Sequence, residues 1–135
     1  MGTWSLIAAA VQHPNGSIDR DYGVAPRGSM MVDAAGRYSL MIYKSERPRF
    51  ASGDRATGTP EEYRQTALGV SVHYGTLSVD VKARTLTFSI EQASFANWNG
   101  TRQVRQYQLH GKVLRYTVAA RRNGDIPISV WRKVS

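Results

Sequence analysis

The feature that most constrains this sequence is a series of short segments in which apolar and polar residues alternate, separated by turn-forming residues. An alternation with a period of two places successive side chains on opposite faces of a β-strand. The glycine, proline, asparagine and aspartate residues between these segments favour tight turns. We therefore predict eight antiparallel strands, at residues 3–12, 28–33, 37–44, 70–80, 85–92, 102–110, 112–120 and 126–134.

One segment has the signals of a helix instead. Thr59 precedes Pro60, Glu61 and Glu62, and Gly69 follows about two turns later. Threonine can cap a first turn, proline suits the first helical position, and acidic side chains complement the positive end of the helix dipole. We predict one short helix near residues 60–68.

The length of the chain suits a single domain over residues 1–135. Eight strands with local connections would close into a barrel, because closure removes exposed strand edges. A barrel of eight strands has room for packed side chains or for one small ligand. The chain contains no cysteine, which excludes disulfides, zinc ribbons and thiol catalysis. No apolar run is long enough to span a membrane, and the cytoplasm is the expected compartment.

The charge of the chain is uneven. Its net charge is +8, and residues 92–135 carry eight basic residues against one acid, Asp125. Such an excess favours an anionic ligand, surface or nucleic acid. Nucleic-acid-binding sheets usually present exposed aromatic side chains among the basic ones. Here Tyr107, Tyr116 and Trp131 alternate onto the predicted inside, so we expect no nucleic-acid partner. The oligomeric state stays open.

A basic residue also falls on an inward face. A two-residue turn at His110 and Gly111 would join the two neighbouring strands and place Arg105 opposite Tyr116, on an apolar face with Tyr107. A buried charge without a partner costs several kcal/mol. Because no acid occupies the assigned inward positions, a carboxylate, enolate or phenolate of a ligand would fit beside Arg105.

Several motifs, in the same order along nearly the whole chain, resemble one family. They are Gly2-Thr3-Trp4, Pro26-Arg27-Gly28, Arg47-Pro48-Arg49-Phe50, Gly58-Thr59-Pro60-Glu61-Glu62, Tyr74-Gly75-Thr76, Asn97-Trp98, Gln103-Val104-Arg105 and Val130-Trp131-Arg132. The sequence resembles the lipocalin-like domain proteins of bacteria and fungi. The resemblance implies a lipocalin-like barrel with an internal cavity, but it does not imply one activity, since some related barrels act as cyclases or isomerases in natural-product pathways.

The strand at residues 70–80 is ambiguous, because neither of its faces is cleanly polar. In relatives, an aromatic residue often stands at the position of His73 and faces the cavity with Gly75 and Leu77. The resemblance therefore implies that His73 points inward. Histidine has an ordinary pKa near 6.5 and can act as an acid or a base.

These observations predict a protein that binds a small, largely apolar ligand with an anionic or hydrogen-bonding head near Arg105. The alternative is an isomerase or cyclase in which His73, Arg105 and Tyr116 steer charge or protons. Loops at 45–59 and 95–101 would cover the cavity. No metal site is expected, because the three histidines are isolated, and no cofactor is expected, because phosphate loops and dinucleotide fingerprints are absent. The predicted ligand-binding residues are Leu40, Ile42, Phe50, His73, Leu77, Phe88, Ile90, Trp98, Arg105, Tyr107, Tyr116 and Trp131.

Overall fold

The structure is a computed structural model that describes all 135 residues. It contains nine β-strands, one α-helix and one short 3-10 turn. The elements are β1 (Gly2–Gln12), β2 (Ile18–Asp19), β3 (Arg27–Val32), β4 (Arg37–Tyr43), α1 (Pro60–Leu68), β5 (Val70–Asp80), β6 (Thr85–Ala93), the 3-10 turn (Ala96–Trp98), β7 (Arg102–His110), β8 (Val113–Val118) and β9 (Ile126–Lys133).

The sheet closes on itself. Each strand from β3 to β8 pairs antiparallel with the next, and β1 pairs with both β3 and β9. The remaining strand, β2, pairs only with the end of β1 at Val11 and Gln12. The predicted eight-stranded antiparallel barrel with one short helix is therefore confirmed. The two residues of β2 are too few to show an alternation, which is why the sequence did not predict this strand.

The position predicted for the turn between β7 and β8 is wrong by one residue. The turn occupies Gly111 and Lys112, and Gly111 adopts a φ of 60° that favours glycine. Tyr116 therefore lies opposite Tyr107 rather than opposite Arg105. The register differs from the prediction by two residues, and a shift of two leaves every side chain on its predicted face.

Large side chains fill the middle of the barrel. Trp131, Phe88, Met30 and Leu40 are almost completely buried there. The ring of Phe88 packs edge-on against its neighbours, with a centroid distance of 4.9 Å to the ring of Tyr38. This packed layer leaves one cavity at each end of the barrel, and the two cavities share no lining residue.

The helix α1 lies on the surface and buries none of its residues. Its first turn is held by a capping box, in which Glu62 N donates to Thr59 Oγ1 (3.1 Å) and Thr59 N donates to Glu62 Oε1 (2.8 Å). The other carboxylate oxygen of Glu62 accepts from Ala51 N at 2.9 Å. These hydrogen bonds lower the pKa of Glu62 and attach the helix to the segment before it. Neither helical segment has the length and apolar composition that crossing a bilayer requires.

Candidate functional site

A cavity of about 480 Å³ opens at the end of the barrel where the loops around Tyr22, Trp98 and Arg121 meet. Its floor is formed by the packed layer in the middle of the barrel, and most of its walls are apolar. The lining residues are Ala9, Ala10, Val11, Asp21, Tyr22, Leu40, Ile42, Ser71, His73, Phe88, Trp98, Gln103, Val104, Arg105, Tyr116, Val118, Ala119, Arg121, Pro127, Ile128 and Ser129.

Arg105 on β7 is the buried charged group of this cavity, whereas Asp21 and Arg121 line its mouth at exposed positions. Arg105 is 9% exposed, and its side chain forms no ion pair. Nη2 donates to Gln103 Oε1, Nη1 donates to the carbonyl oxygen of Val104 at 3.4 Å, and Nε has no hydrogen-bond partner. The guanidinium carbon lies 5.8 Å from the ring centroid of Phe88. Burial lowers the pKa of Arg105, because it penalises the charged form.

His73 on β5 lines the same cavity and is buried. Its Nδ1 atom is 2.6 Å from the hydroxyl oxygen of Tyr38. Burial, assisted by the positive charge of Arg105, lowers the pKa of His73 to about 4, so its imidazole is neutral at neutral pH. A phenol is the stronger donor and an imidazole nitrogen the stronger acceptor, so the hydroxyl donates to Nδ1 and Nε2 keeps the proton.

Two further aromatic side chains complete the wall. Tyr116 on β8 is buried, and burial raises the pKa of its phenol, which keeps its proton. Trp98 belongs to the 3-10 turn, and its ring stands edge-on to His73 at a centroid distance of 6.3 Å. The carbonyl oxygen of Trp98 accepts from Thr101 Oγ1 at 2.6 Å, which holds the turn in place. His73 and Tyr116 are therefore both uncharged at neutral pH, and each carries a proton that it can donate.

The structure brings most, but not all, of the predicted site residues together. Those that line the cavity are Leu40, Ile42, His73, Phe88, Trp98, Arg105 and Tyr116. Leu77 and Tyr107 line the second cavity, of about 460 Å³, at the opposite end of the barrel. Ile90 and Trp131 are buried in the core and line neither cavity.

Phe50 lies outside both cavities. Its ring packs edge-on against Tyr63 of α1 at a centroid distance of 5.2 Å. It also packs so closely on Gly58 that a Cβ atom there would be 2.5 Å from the ring. The segment 45–59 therefore folds against its own helix, and it does not bring Phe50 to the cavity.

The sequence reasoning missed several lining residues. Gln103 stands two positions before Arg105, so the period of a strand places it on the same inward face, and this signal was available. Asp21, Tyr22 and Arg121 lie in loops, where alternation carries no information. No three His, Asp or Glu side chains are grouped in a way that would hold a metal ion.

Comparison with known proteins identifies the family of this chain. The family model described as a lipocalin-like domain matches residues 1–134. The chain belongs to the lipocalin-like domain family. The resemblance inferred from the sequence motifs is thus confirmed. A search of curated proteins found no match to this lipocalin-like protein.

Two solved structures are similar to this lipocalin-like protein. One is a lipocalin-like protein from Bacteroides uniformis ATCC 8492, with 14% identity, a TM-score of 0.49, and coverage of 98% of this chain and 96% of that chain. The other is an uncharacterized protein from Bacteroides eggerthii DSM 20697, with 15% identity, a TM-score of 0.46, and coverage of 99% and 98%.

Proposed function

We propose that this lipocalin-like protein binds a small, largely apolar molecule with an anionic head, and that the head pairs with Arg105. The observation that carries the proposal is a buried guanidinium with no carboxylate partner and an unbonded Nε atom. Removing a cation from water costs several kcal/mol unless an anion compensates for the lost hydration. The side-chain amide of Gln103 and a backbone carbonyl supply only neutral partners.

The neighbouring groups favour the same kind of head. The Nε2 proton of the neutral His73 and the phenol proton of Tyr116 are hydrogen-bond donors. A carboxylate, sulfonate, enolate or phenolate accepts from such donors, whereas an ammonium group would be repelled by Arg105.

The rest of the cavity suits an apolar body. Its volume of about 480 Å³ is within the range of small-molecule sites. Leu40, Ile42 and Phe88 contribute apolar surface, and burying a ligand against it is worth about 25 cal/mol per Å².

The test is a fluorescence titration with anilinonaphthalene sulfonate, an aromatic probe with a permanent anionic group. Arg105→Leu should weaken its affinity roughly 10- to 100-fold, the value of a lost charge-assisted hydrogen bond. Arg105→Lys should restore part of the affinity, because lysine keeps the positive charge but lacks the paired N–H donors of the guanidinium. Arg102→Leu is the matched control, an exposed arginine on the same strand, and it should change the affinity less than about twofold.

A neutral probe shows whether the cavity survives the substitution. Arg105→Leu should bind N-phenylnaphthylamine at least as tightly as the unmodified protein, because the apolar walls remain. An unchanged affinity for the sulfonate probe in Arg105→Leu would overturn the proposed head site.

The hydrogen bond between Tyr38 and His73 supports a second candidate function. It leaves the Nε2 proton of a neutral imidazole in the same cavity as a cation, a pairing suited to an isomerase or cyclase that handles an enolate. In that case His73→Phe would lower turnover roughly 10²-fold, whereas a protein that only binds would keep its ligand affinity. Unchanged turnover would exclude an acid–base role for His73.

A further inference from the structure

A charged cluster lies beside the mouth of the cavity. Two loops border this mouth: residues 13–26 contribute Asp21 and Tyr22 to its wall, and residues 119–125 contribute Arg121. His13 is the first residue of the 13–26 segment, and its ring lies between the side chains of Asp19 and Asp125. Its Nδ1 atom is 2.8 Å from Asp125 Oδ1, and its Nε2 atom is 2.6 Å from Asp19 Oδ2.

This geometry requires a particular protonation state. A carboxylate oxygen only accepts hydrogen bonds, and a neutral imidazole has one donor and one acceptor nitrogen. Both nitrogens of His13 face carboxylates, so both bonds form only when the ring is an imidazolium. The hydrogen bond to Asp125 and then that to Asp19 raise the pKa of His13, while His13 lowers the pKa of Asp125.

The other groups facing the cluster keep Asp125 ionised. Asn123 Nδ2 donates to Asp125 Oδ2 at 3.1 Å, and the positive charge of Arg121 also lowers the pKa of this carboxyl. The cluster therefore consists of one titratable histidine between the carboxylate of β2 and the carboxylate of the 119–125 loop.

Backbone hydrogen bonds and a packing contact link the cluster to the cavity wall. Arg121 N donates to the carbonyl oxygen of Asp125, and Gly124 N donates to that of Arg121, both at 2.8 Å. Gly124 packs on Pro14 so closely that a Cβ atom would lie 2.8 Å from Cγ of the proline ring. The contact from His13 to Asp125 therefore ends on the same short loop, residues 119–125, whose Arg121 lines the cavity.

We propose that His13 is a pH-dependent clamp on the mouth of the cavity: it slows ligand exchange while its imidazole is protonated and releases as the pH rises. The ligand part of this inference rests on the proposed function, whereas the loop movement does not. When the ring loses its proton, one of its nitrogens becomes an acceptor facing a carboxylate, and that contact turns repulsive. At acidic pH the clamp also weakens, once the carboxylates take up protons.

The first experiment measures the dissociation rate of anilinonaphthalene sulfonate by stopped flow between about pH 6 and about pH 9. The sulfonate stays ionised over this range, so only the protein titrates. We expect the rate to rise roughly two- to fivefold with pH, the size of one exposed charge-assisted contact. In His13→Gln it should be fast at every pH. His110→Gln, at the exposed last residue of β7, should behave like the unmodified protein.

The second experiment needs no ligand. The hydrogen-exchange protection factors of the Arg121 and Gly124 amides should fall over the same pH range in the unmodified protein and should be low throughout in His13→Gln. If protection falls in this way but the sulfonate probe does not bind, the proposed function fails and the clamp stands. If the probe binds through Arg105 but neither its dissociation nor the protection depends on His13, the clamp fails and the proposed function stands.

Discussion

Two histidines of this protein have their pKa values shifted in opposite directions, because their surroundings differ. His73 is enclosed by the barrel beside Arg105, and burial lowers its pKa to about 4. His13 faces two carboxylates at the surface, and their hydrogen bonds raise its pKa. Burial favours the neutral imidazole and carboxylates favour the charged one. The response of each histidine to pH is therefore set by its contacts.

The shift at His73 predicts how stability depends on pH. Its pKa in the folded state is below the ordinary value, so the unfolded chain binds a proton first as the pH falls. The stability contribution is complete above about pH 6.5 and is lost progressively toward about pH 4, by up to roughly 3 kcal/mol. Urea unfolding at about pH 7 and about pH 4.5 should show a drop that His73→Gln lacks. His110→Gln is the matched control, and parallel drops in all three proteins would contradict the prediction.

Among the elements, the pairing of β5 with β6 carries an irregularity next to the site. His73 pairs with Ala93, but Gly75 pairs with Ile90, so β6 contains one extra residue between the two pairs. Such a bulge keeps both pairs on the inward face while it bends the strand. Gly75 permits it, because a Cβ atom there would lie only 2.0 Å from the carbonyl oxygen of Ser89.

Gly75→Ala should consequently destabilise the protein strongly. A methyl group meets backbone that cannot move without disrupting the β5–β6 pairing, so we expect the free energy of unfolding to fall by roughly 3 kcal/mol. Gly111→Ala is the control: it has a φ of 60° and no atom within 4 Å of its would-be Cβ, so only the strain of about 1 kcal/mol applies. Urea unfolding measures both, and an equal loss in the two variants would contradict the close approach at Ser89.

At the scale of the whole molecule, the barrel is neither hollow throughout nor filled throughout. The rings of Phe88 and Trp131 are almost completely buried in its middle. One end holds the partly polar cavity with Arg105, and the other holds an apolar cavity lined by side chains such as Leu77 and Tyr107. The packed layer thus buries the largest side chains, while each end of the barrel keeps an open cavity.

Removing part of this packed layer should lower the free energy of unfolding strongly. Phe88→Ala deletes a ring that contacts Tyr38, His73 and Tyr116, and we expect a loss of about 3–5 kcal/mol in the free energy of unfolding. Val81→Ala, at an exposed position in the turn between β5 and β6 that lines neither cavity, should cost less than about 0.5 kcal/mol. Chemical denaturation of both variants makes the comparison. A small loss for Phe88→Ala would show that the layer rearranges to fill the space.

The sequence by itself determined the eight strands of the barrel, the short helix and, in the strands that alternate clearly, which side chains point inward. Alternation is a local property, and it survives a register error of two residues, as the β7–β8 turn shows. For the same reason, the sequence predicts that the Arg105 side chain points into the barrel. It also predicts that no acidic side chain occupies the assigned inward positions. The direction of His73 needed the family resemblance as well, because its strand has no clean polar face.

Only the tertiary structure decided how far along the barrel each inward side chain lies. Ile90 and Trp131 are inward as predicted but belong to the core, whereas Tyr107 belongs to the second cavity. The structure also joined His13 to Asp125, which is 112 residues away along the chain. The two-residue period of a strand shows which face of the sheet a side chain lies on. It does not show how far along the barrel axis that side chain lies. That distance and the loop contacts follow from the register of all eight strands together and from the closure of β1 on β9.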